Sequence, residues 1–319
     1  MKLLVTGGAG FIGSNFVRSI SDNAKYEKIT ILDSLTYAGN FNNLNSISGS
    51  KKLVLIKGDI CNLKIVSEVT KGIDVIINFA AESHVDRSIS NPFQFLNTNV
   101  LGTQNLLDAA LKNKVAKFIQ VSTDEVYGSI NEGSWTEDWP LSPNSPYSAS
   151  KASADLLTLS YFKTFGLNVS ITRCSNNYGP FQFPEKVIPL FVTNLLQKKK
   201  IPIYGTGNNI RDWIHVEDHC SGIEKVIDLG KPGHIYNFGG GNEITNFELT
   251  KMILDYFQFD LDKIDYIEDR KGHDYRYSVS FKKSLNELNW KPVKNFKDGL
   301  FETIEWYKKN TSWWESLKH

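Results

Sequence analysis

The stretch Lys2-Leu3-Leu4-Val5-Thr6-Gly7-Gly8-Ala9-Gly10-Phe11-Ile12-Gly13 decides the fold of this chain. Its first part has the composition of a short apolar strand, and apolar residues at helical spacing follow the glycines. The glycines fit both G-x-x-G-x-x-G and G-x-G-x-x-G. Either spacing permits a tight turn and lets the backbone approach a pyrophosphate, which then lies at the positive end of the helix. The stretch therefore predicts a dinucleotide-binding turn between a strand and a helix.

A carboxylate follows the second predicted strand. Residues 29–32 are apolar or β-branched and end in Asp33, about twenty residues after Gly13. An acid at this position accepts hydrogen bonds from a ribose 2′-hydroxyl and repels a 2′-phosphate. The sequence therefore predicts NAD, rather than NADP, as the cofactor.

Strands and helices alternate along the first half of the chain. Further strands are predicted at residues 53–56, 74–79, 118–121 and 169–173, with helices at 92–112 and 147–165. This alternation is typical of a doubly wound parallel sheet, so we predict an α/β Rossmann fold.

The pattern changes after residue 174. Helical spacing returns at residues 186–196 and 216–229, and residues 201–205 and 211–215 read as short edge segments. We predict an NAD-binding Rossmann domain over residues 1–177, with residues 211–236 crossing back onto it. Residues 178–319 then form a smaller α/β domain that binds the substrate.

Composition limits the class of protein. Net charge is +1 in 319 residues and no long basic run is present, which argues against nucleic acid as a partner. No apolar run is long enough to span a bilayer, and the first residues are too short for a signal peptide. The three cysteines, Cys61, Cys174 and Cys220, form no disulfide framework, so we expect a cytoplasmic protein without a membrane partner.

Candidate catalytic groups follow the strand at residues 118–121. Ser122-Thr123-Asp124-Glu125-Val126-Tyr127-Gly128 places a hydroxyl and two carboxylates at the carboxyl end of that strand, which faces the ligand crevice in such folds. Tyr147 and Lys151 are four apart and share a helix face. A lysine beside a phenol favours the phenolate and lowers the pKa of Tyr147 from about 10 toward neutrality. Tyr147 is thus a candidate base for a substrate hydroxyl.

A structural interpretation exists for each of these motifs. The two acids could cap the next helix, and the Tyr147–Lys151 pair could lie on the surface. Their occurrence together behind a nucleotide fingerprint favours catalysis. Asp59, after the third strand, could accept from an adenine amino group or cap a helix that starts near Leu63.

The cofactor site is predicted from the glycine turn and the ends of the first strands. Small residues after the fourth strand leave room for a dinucleotide there. The predicted cofactor-binding residues are Gly7, Gly10, Phe11, Ile12, Gly13, Asp33, Asp59, Ile60, Ala80, Ala81, Ser83, Tyr147 and Lys151.

Over nearly its whole length the sequence resembles the extended short-chain dehydrogenase/reductases that act on nucleotide sugars, and among them the 4,6-dehydratases of dTDP-glucose. The segments that carry this resemblance are residues 6–13, 33–40, 80–88, 122–128, 147–151, 176–180, 211–213 and 269–274. Thr123-Asp124-Glu125 is the most discriminating of them. Related 4-epimerases usually do not have two adjacent acids here, and UDP-glucuronate decarboxylases resemble this chain in the Glu but not typically in the Asp.

A dehydratase needs both acids for a chemical reason. Tyr147 takes the proton of the C4 hydroxyl as C4 is oxidised by NAD, with Thr123 hydrogen-bonded to the C4 oxygen. The C4 ketone acidifies C5, where Glu125 is the candidate base. Asp124 is the candidate acid for the departing C6 hydroxyl, and hydride returns to C6. Because base and acid have similar reference pKa values, we infer that Asp124 is more desolvated and begins protonated.

The resemblance also implies contacts with the substrate. His84 and Asn176 would lie near the sugar or diphosphate; Lys186, Arg211, His273 and Asn246 near the diphosphate; and Tyr277 near the nucleotide. The chain departs from the family at Lys271 and Tyr275, where proline and arginine are common. The nucleotide base therefore stays open among dTDP, UDP, CDP and GDP.

Several alternatives stand beside the dehydratase. A 4-epimerase needs Tyr147 and Lys151 but not the two acids, and a non-catalytic NAD-binding protein would not need a competent group at every position. His215 and His219, with Glu217 between them, indicate the start of a helix rather than a metal site, so no metal is expected.

Two of the predicted helices carry apolar residues that could contact a second subunit. The helices over residues 95–111 and 147–159 carry more of them than one sheet face needs, which predicts a homodimer through these helices. Tryptophans cluster late in the chain, and C-terminal packing or an oligomer contact explains them better than base stacking: Trp290, Trp306, Trp313 and Trp314.

Overall fold

The computed structural model describes residues 1–269 and 272–318. In this part of the chain the strands are β1 (Lys2–Thr6), β2 (Lys28–Asp33), β3 (Leu53–Lys57), β4 (Val75–Asn78), β5 (Lys117–Thr123), β6 (Val169–Cys174), β7 (Asn176–Tyr178), β8 (Ile201–Tyr204), β9 (Ile210–His215), β10 (His234–Phe238), β11 (Glu243–Thr245) and β12 (Ile264–Ile267). The α-helices are α1 (Phe11–Ile20), α2 (Leu63–Val69), α3 (Val85–Ser90), α4 (Pro92–Phe95), α5 (Thr103–Lys112), α6 (Pro146–Phe165), α7 (Val187–Leu196), α8 (Val216–Leu229), α9 (Asn246–Phe257), α10 (Lys282–Leu288), α11 (Phe296–Lys309) and α12 (Thr311–Glu315).

A parallel sheet of seven strands carries the predicted nucleotide-binding unit. Its order is β10-β6-β5-β4-β1-β2-β3, and the reversal of strand order beside β1 is that of a doubly wound sheet. The predicted α/β Rossmann class is confirmed. The six strands predicted from the sequence are all present, and β10 is a seventh that was missed. Strand β10 pairs in parallel with β6, with His234 opposite Ser170. It follows a helix and a turn, and nothing in its sequence indicated a strand.

The segment at residues 211–215 was predicted to be an edge, which is wrong. Strand β9 lies in the middle of a three-stranded sheet, antiparallel to β11 and parallel to β7. Five of its six residues are buried, and Trp213 and Ile214 pack into two different apolar clusters. Strand β8 pairs in parallel with β12 alone, as the prediction of an edge segment at residues 201–205 requires.

The predicted helix at residues 92–112 is not regular. A π-helical segment, Leu96–Gly102, joins α4 to α5, and α3 precedes them as a separate helix that was missed. The wider turn brings Asn99 inward, where its side chain accepts from Glu82 N at 2.8 Å and donates to Ser150 Oγ at 2.8 Å. The irregularity therefore ties the helix to the loop after β4 and to α6, a long-range contact that helical periodicity cannot reveal.

Both faces of the large sheet are covered, and a further core lies outside it. Helices α1 and α8 pack on one face of the sheet through Phe16, Val17 and Ile223. Helices α5 and α6 contribute Leu106 and Tyr161 to the other face. A separate apolar cluster joins α7, α9, α11 and α12. The division of the chain at residue 177 stays a prediction. No helix in the described chain is long and apolar enough to cross a membrane.

A buried lysine closes the carboxyl end of α8. Lys117 Nζ donates to the carbonyl oxygens of Val226, Ile227 and Gly230 at 2.9, 3.0 and 2.9 Å. These carbonyls belong to the last turn of the helix and to Gly230, which directly follows it, and a cation there also meets the negative end of the helix dipole. The side chain thus fastens α8 to the start of β5.

We expect Lys117→Met to lower the free energy of unfolding by about 1–3 kcal/mol, because the carbonyls of Ile227 and Gly230 lose this donor at nearly constant side-chain volume. Urea unfolding measures this as a shift in midpoint at unchanged slope. Lys200→Met, at an exposed position, is the matched control and should stay within about 0.5 kcal/mol of the wild type. Equal midpoints for the two variants would contradict the anchoring role of Lys117.

Candidate active site

A cleft of about 440 Å³ lies at the carboxyl ends of the central strands of the large sheet. It brings together most of the residues predicted from the sequence. Those that line it are Gly7, Gly10, Phe11, Ile12, Gly13, Asp33, Asp59, Ile60, Ala80, Ala81, Ser83, Thr123, Asp124, Glu125, Tyr147, Lys151, Asn176 and Lys186.

The glycine turn leaves no room for side chains. Gly7 has φ of +67°, and a Cβ there would lie 2.6 Å from the backbone nitrogen of Ala80. A Cβ on Gly13 would lie 2.3 Å from the carbonyl oxygen of Gly7. Helix α1 begins directly after this turn, so its free N–H groups face the cleft. The cradle fits a pyrophosphate, as the glycine spacing predicts.

Asp33 has a structural part as well as its predicted part in ribose binding. Its Oδ2 accepts from Ala9 N and its Oδ1 from Leu35 N, each at 2.9 Å. Burial raises the pKa of this carboxyl, while the two backbone hydrogen bonds act in the opposite direction. Asp33 therefore fastens the glycine turn to the end of β2 and still presents a carboxylate to the cleft.

The two interpretations of Asp59 can be separated in part. Helix α2 is capped by Asn62, whose side chain accepts from Lys64 N and Ile65 N at 3.1 and 3.2 Å. The alternative that Asp59 caps this helix is therefore wrong, because its Oδ1 accepts from Cys61 N, ahead of the helix. Asp59 and Ile60 both line the cleft.

The acid pair lies where β5 ends. A turn of 3₁₀ helix, Asp124–Tyr127, begins there, and Thr123 Oγ1 caps it by accepting from Glu125 N at 3.3 Å. Thr123 also donates to Asp124 Oδ1 at 3.3 Å. The capping interpretation of the two acids is wrong, because the threonine before them supplies the cap.

The environments of the two acids differ. Asp124 is 2% exposed, whereas Glu125 is only partly buried. Burial, followed by the charges of Glu125 and Asp212, raises the pKa of Asp124 well above its usual range. Its Oδ2 is buried without a hydrogen-bond partner in the described chain. The prediction that Asp124 is the more desolvated acid is confirmed, and the direction of its pKa favours a protonated carboxyl.

The Tyr147–Lys151 pair lies at the start of α6 and is not a surface pair. Both side chains are buried and both line the cleft. The predicted lowering of the pKa of Tyr147 is wrong: burial, followed by the charge of Glu125, raises that pKa well above its usual value. Lys151 does not offset this, because its Nζ donates to the carbonyl of Val121 at 2.7 Å and burial lowers its own pKa.

Besides Thr123, three predicted substrate contacts lie at or beside the cleft. Asn176 has a buried Oδ1 without a hydrogen-bond partner in the described chain, and Lys186 Nζ donates to Ser83 O at 2.9 Å. His84 lies beside the cleft and caps α3, its Nδ1 accepting from Arg87 N at 3.4 Å.

Four predicted substrate residues are not part of the cleft wall. Arg211 donates to the carbonyl of Asp274 at 2.9 Å and stacks 4.2 Å above the ring of Tyr277. His273 pairs with Asp269 at 2.6 Å, and Asn246 begins α9. Because electrostatic interactions link Arg211 to Asp124 and Tyr277 to Glu125, the stacked pair lies near the acids.

The two departures from the family pattern are Lys271 and Tyr275. Arg270 and Lys271 lie outside the described residues. The second departure, Tyr275, is exposed and follows the carbonyl that holds Arg211.

Several cleft residues were missed from the sequence. They include Tyr37, Gln94, Cys174, Gln182, Phe183 and Glu185. Tyr37 lies under the guanidinium of Arg87, which is 3.7 Å from its ring centre and 2.7 Å from Glu185 Oε2. The signals were available, because Tyr37 lies within the segment 33–40 and Glu185 precedes Lys186.

The histidines near α8 form a helix start, as predicted. His215 caps α8 by accepting from Glu217 N at 3.3 Å, and Glu217 and Asp218 occupy the first turn. Burial lowers the pKa of His215 to about 4. His219 contacts Asn177 Oδ1 at 2.9 Å. The described residues contain no group of three or more His, Cys, Asp or Glu side chains arranged to hold a metal ion.

Comparison with known proteins matches this geometry to a family. Residues 4–303 match the family described as GDP-mannose 4,6 dehydratase. The dTDP-glucose 4,6-dehydratase of Streptomyces antibioticus is 52% identical over 323 residues, covering 100% of this chain and 96% of that protein. The chain belongs to the extended short-chain dehydrogenase/reductase family. The resemblance to its dTDP-glucose 4,6-dehydratases, inferred from the sequence, is confirmed.

Solved structures of this family have the same fold as this chain. The crystal structure of DesIV, a dTDP-glucose 4,6-dehydratase from Streptomyces venezuelae with NAD and TYD bound, superposes with a TM-score of 0.98 at 52% identity, with full coverage of both chains. A UDP-glucose 4-epimerase from Thermotoga maritima, with UDP-glucose, reaches a TM-score of 0.90 at 28% identity, covering 98% of this chain and 100% of that one. Members of the family with different chemistry thus share the fold, and the residues of the cleft must separate them.

Proposed function

We propose that this protein is an NAD-dependent dTDP-glucose 4,6-dehydratase that forms dTDP-4-keto-6-deoxyglucose. The observation that carries the proposal is the buried carboxyl of Asp124, with its raised pKa, beside Glu125 and Tyr147 in one cleft. A 4-epimerase has no use for a protonated acid and a second carboxylate at this place. The similarity to dTDP-glucose 4,6-dehydratases along the whole chain supports the same proposal.

The glycine turn and Asp33 would hold the cofactor. The cradle at Gly7 and Gly13 accommodates a pyrophosphate, and the carboxylate of Asp33 accepts from a ribose and disfavours a 2′-phosphate. When bound, NAD supplies the acceptor for hydride from C4 of the sugar and the donor that returns it at C6. The proposal for NAD is further supported by the related structures solved with it.

Each protein group then has one proton to move. Tyr147 accepts the proton of the C4 hydroxyl as C4 becomes a ketone, and Thr123 hydrogen-bonds the C4 oxygen. Glu125 removes the proton from C5, which the ketone has acidified. Asp124 delivers its proton to the C6 hydroxyl, which leaves as water, and Glu125 returns its proton to C5 once C6 has been reduced. Each positioned transfer contributes roughly a hundred- to ten-thousandfold in rate.

Lys151 supports these steps from the neighbouring turn of α6. Its Nζ donates to the carbonyl of Val121, and the charge of Asp155 acts against the burial that lowers the pKa of Lys151. Burial raises the pKa of Tyr147 and so favours the neutral phenol, which cannot accept a proton. A positive charge brought into the cleft would lower that pKa and favour the phenolate, which can.

The decisive experiment is incubation with dTDP-, UDP-, CDP- and GDP-glucose and no added reductant, followed by mass analysis of the products. We expect dTDP-glucose to lose one water, with the other nucleotides reacting more slowly. A product of unchanged mass with inverted C4 would indicate an epimerase. A protein that binds NAD but converts none of the four would contradict the proposed activity.

We also propose that the protein is a cytoplasmic homodimer. The cysteines are all free thiols, which suits a reducing compartment. Leu101 and Leu156 are 51% and 59% exposed on the two helical segments predicted to form the interface, and Phe93 and Leu96 extend this apolar surface.

We expect sedimentation at micromolar concentration to give twice the monomer mass. Leu101→Glu should shift that mass toward monomer, whereas the control Leu285→Glu, at an exposed residue of α10, should not.

A further inference from the structure

The C-terminal helix contacts the region that carries the glycine turn. The indole Nε1 of Trp313, in α12, donates to Asn43 Oδ1 at 2.9 Å across 270 positions of sequence. Asn43 lies in the 3₁₀ helix Phe41–Ile47 that follows β2, and it is 1% exposed. A buried side-chain amide thus joins the end of the chain to the segment after Asp33.

Asn43 passes this contact to the turn itself. Its Nδ2 donates to the carbonyl of Ala9 at 2.9 Å, and Ala9 N donates to Asp33 at 2.9 Å. The carbonyl of Ala9 and the N–H of Gly10 belong to one planar peptide group, so orienting one orients the other. The same carbonyl also accepts from Asn40 N at 3.0 Å and the N–H of Gly10 donates to Gly7 O at 3.1 Å, so Asn43 supplies the side-chain part of the contacts that orient this group. Gly10 is the residue immediately before α1, at the N-terminus that faces the cleft.

Trp313 and the Ala9 carbonyl together determine which end of the Asn43 amide faces Ala9. An indole N–H can donate but cannot accept, so only the amide oxygen can turn toward it. The Asn43 nitrogen is then directed to the Ala9 carbonyl. Without the indole, the orientation of the Asn43 amide depends on its hydrogen bond to the Ala9 carbonyl, and Asn43 Oδ1 loses a hydrogen-bond partner.

The indole ring is held independently of its N–H. It packs against Trp306 and Phe181, with ring centres 5.0 and 5.8 Å away. Phe181 precedes the cleft residue Gln182. Replacement of Trp313 by phenylalanine therefore removes the donor and keeps an aromatic ring in the cluster.

We propose that Trp313 is a positioning residue for cofactor retention, acting through Asn43 on the peptide between Ala9 and Gly10. The proposal rests on the proposed function, because it takes NAD as the occupant of the glycine turn. A turn that is ordered before binding loses less entropy when the cofactor binds, which slows release. Slow release matters for a reaction in which the same dinucleotide must be reduced and reoxidised within one turnover.

The test compares Trp313→Phe with wild-type full-length protein loaded with NAD. We expect NAD to dissociate about five- to fiftyfold faster from the variant, since a buried acceptor loses its donor. Dissociation is followed by displacement with excess labelled NAD, and kcat is measured separately at saturating NAD. We expect kcat to stay within about twofold, because the catalytic groups are not touched.

Two further variants make the result specific. Trp306→Phe is the matched control, because its ring belongs to the same cluster and its indole N–H has no hydrogen-bond partner among the described residues; we expect wild-type dissociation. Asn43→Ala should speed dissociation as Trp313→Phe does, and combining both should add nothing further.

Each other outcome has a defined meaning. Equal dissociation rates for Trp313→Phe and Trp306→Phe, or additive effects of Trp313→Phe and Asn43→Ala, would overturn the proposed link alone. If Trp313→Phe does not fold, unchanged dissociation in Asn43→Ala would overturn it. Wild-type protein that retains no NAD would overturn the proposed function together with the link.

Discussion

Replacing Asp124 with asparagine is expected to slow the loss of water by about a hundred- to ten-thousandfold, while oxidation at C4 continues. The amide has the shape of a neutral carboxyl group but no acidic proton to give to the C6 hydroxyl. Reduced nicotinamide should therefore accumulate during a single turnover, and its absorbance measures the two steps separately. If oxidation and water loss keep their wild-type rates, Asp124 is not the acid.

The same substitution tests the protonation state of Asp124. Burial and the neighbouring acids raise the pKa of this carboxyl, so its neutral form is the one the fold favours. An acid is active while it is protonated, so the wild-type rate of water loss should fall as pH rises through that pKa. This limb should vanish in Asp124→Asn. The folded state should also tolerate the neutral amide, with a melting temperature close to that of the wild type.

Asp138→Asn is the matched control for this variant. Asp138 is exposed on the loop that connects β5 to α6, in the same region of sequence, and it does not line the cleft. Its substitution should change neither the oxidation nor the water-loss rate. A comparable loss of activity in the control would mean that the loop, rather than the acid, had been disturbed.

The large sheet was predictable because its signals are local. Each of the first six strands is a short apolar run, and the glycine turn ends the first of them. Strand β10 gave no such signal, since it is an edge strand that joins only after α8 has crossed the sheet. The central position of β9 depends on β7 and β11, three residues each, which are too short for periodicity to identify.

Electrostatics in the cleft was predictable only in part. Spacing placed Tyr147 and Lys151 on one face of a helix, but it could not show that the ammonium of Lys151 is directed to the carbonyl of Val121. Burial of the phenol then dominates, and the pKa of Tyr147 rises instead of falling. For Asp124 the prediction of desolvation succeeded, because it came from the requirement that an acid and a base of similar reference pKa differ in protonation.

The fold places some of the substrate contacts implied by the resemblance in the cleft wall and others outside it. Asn176 and Lys186 line the cleft, whereas Arg211 and Tyr277 stack on each other outside its wall. A resemblance in sequence predicts the type of residue at a position, but it does not predict the rotamer of the side chain or the residues that it contacts. The carbonyl of Asp274, which holds Arg211, belongs to a loop whose course no sequence pattern indicates.

Replacing Glu125 with glutamine is expected to stop proton removal at C5, with a loss of about a hundred- to ten-thousandfold in exchange with D₂O. Oxidation at C4 should persist, because Tyr147 is retained. The substitution also removes a negative charge that raises the pKa of both Tyr147 and Asp124, so both pKa values should fall. Glu132→Gln, at an exposed position in the same loop, is the control and should leave exchange unchanged.

Isotope exchange at C5 distinguishes the two acid variants, Asp124→Asn and Glu125→Gln, from each other. Asp124→Asn keeps the base, so C5 of the accumulated 4-keto sugar should still take up deuterium. Glu125→Gln lacks the base and should hold the original C5 proton at the same stage. If solvent deuterium enters C5 of the Glu125→Gln complex at the wild-type rate, Glu125 is not the base. Because both variants stop before water loss, only this comparison assigns the base and the acid to individual carboxylates.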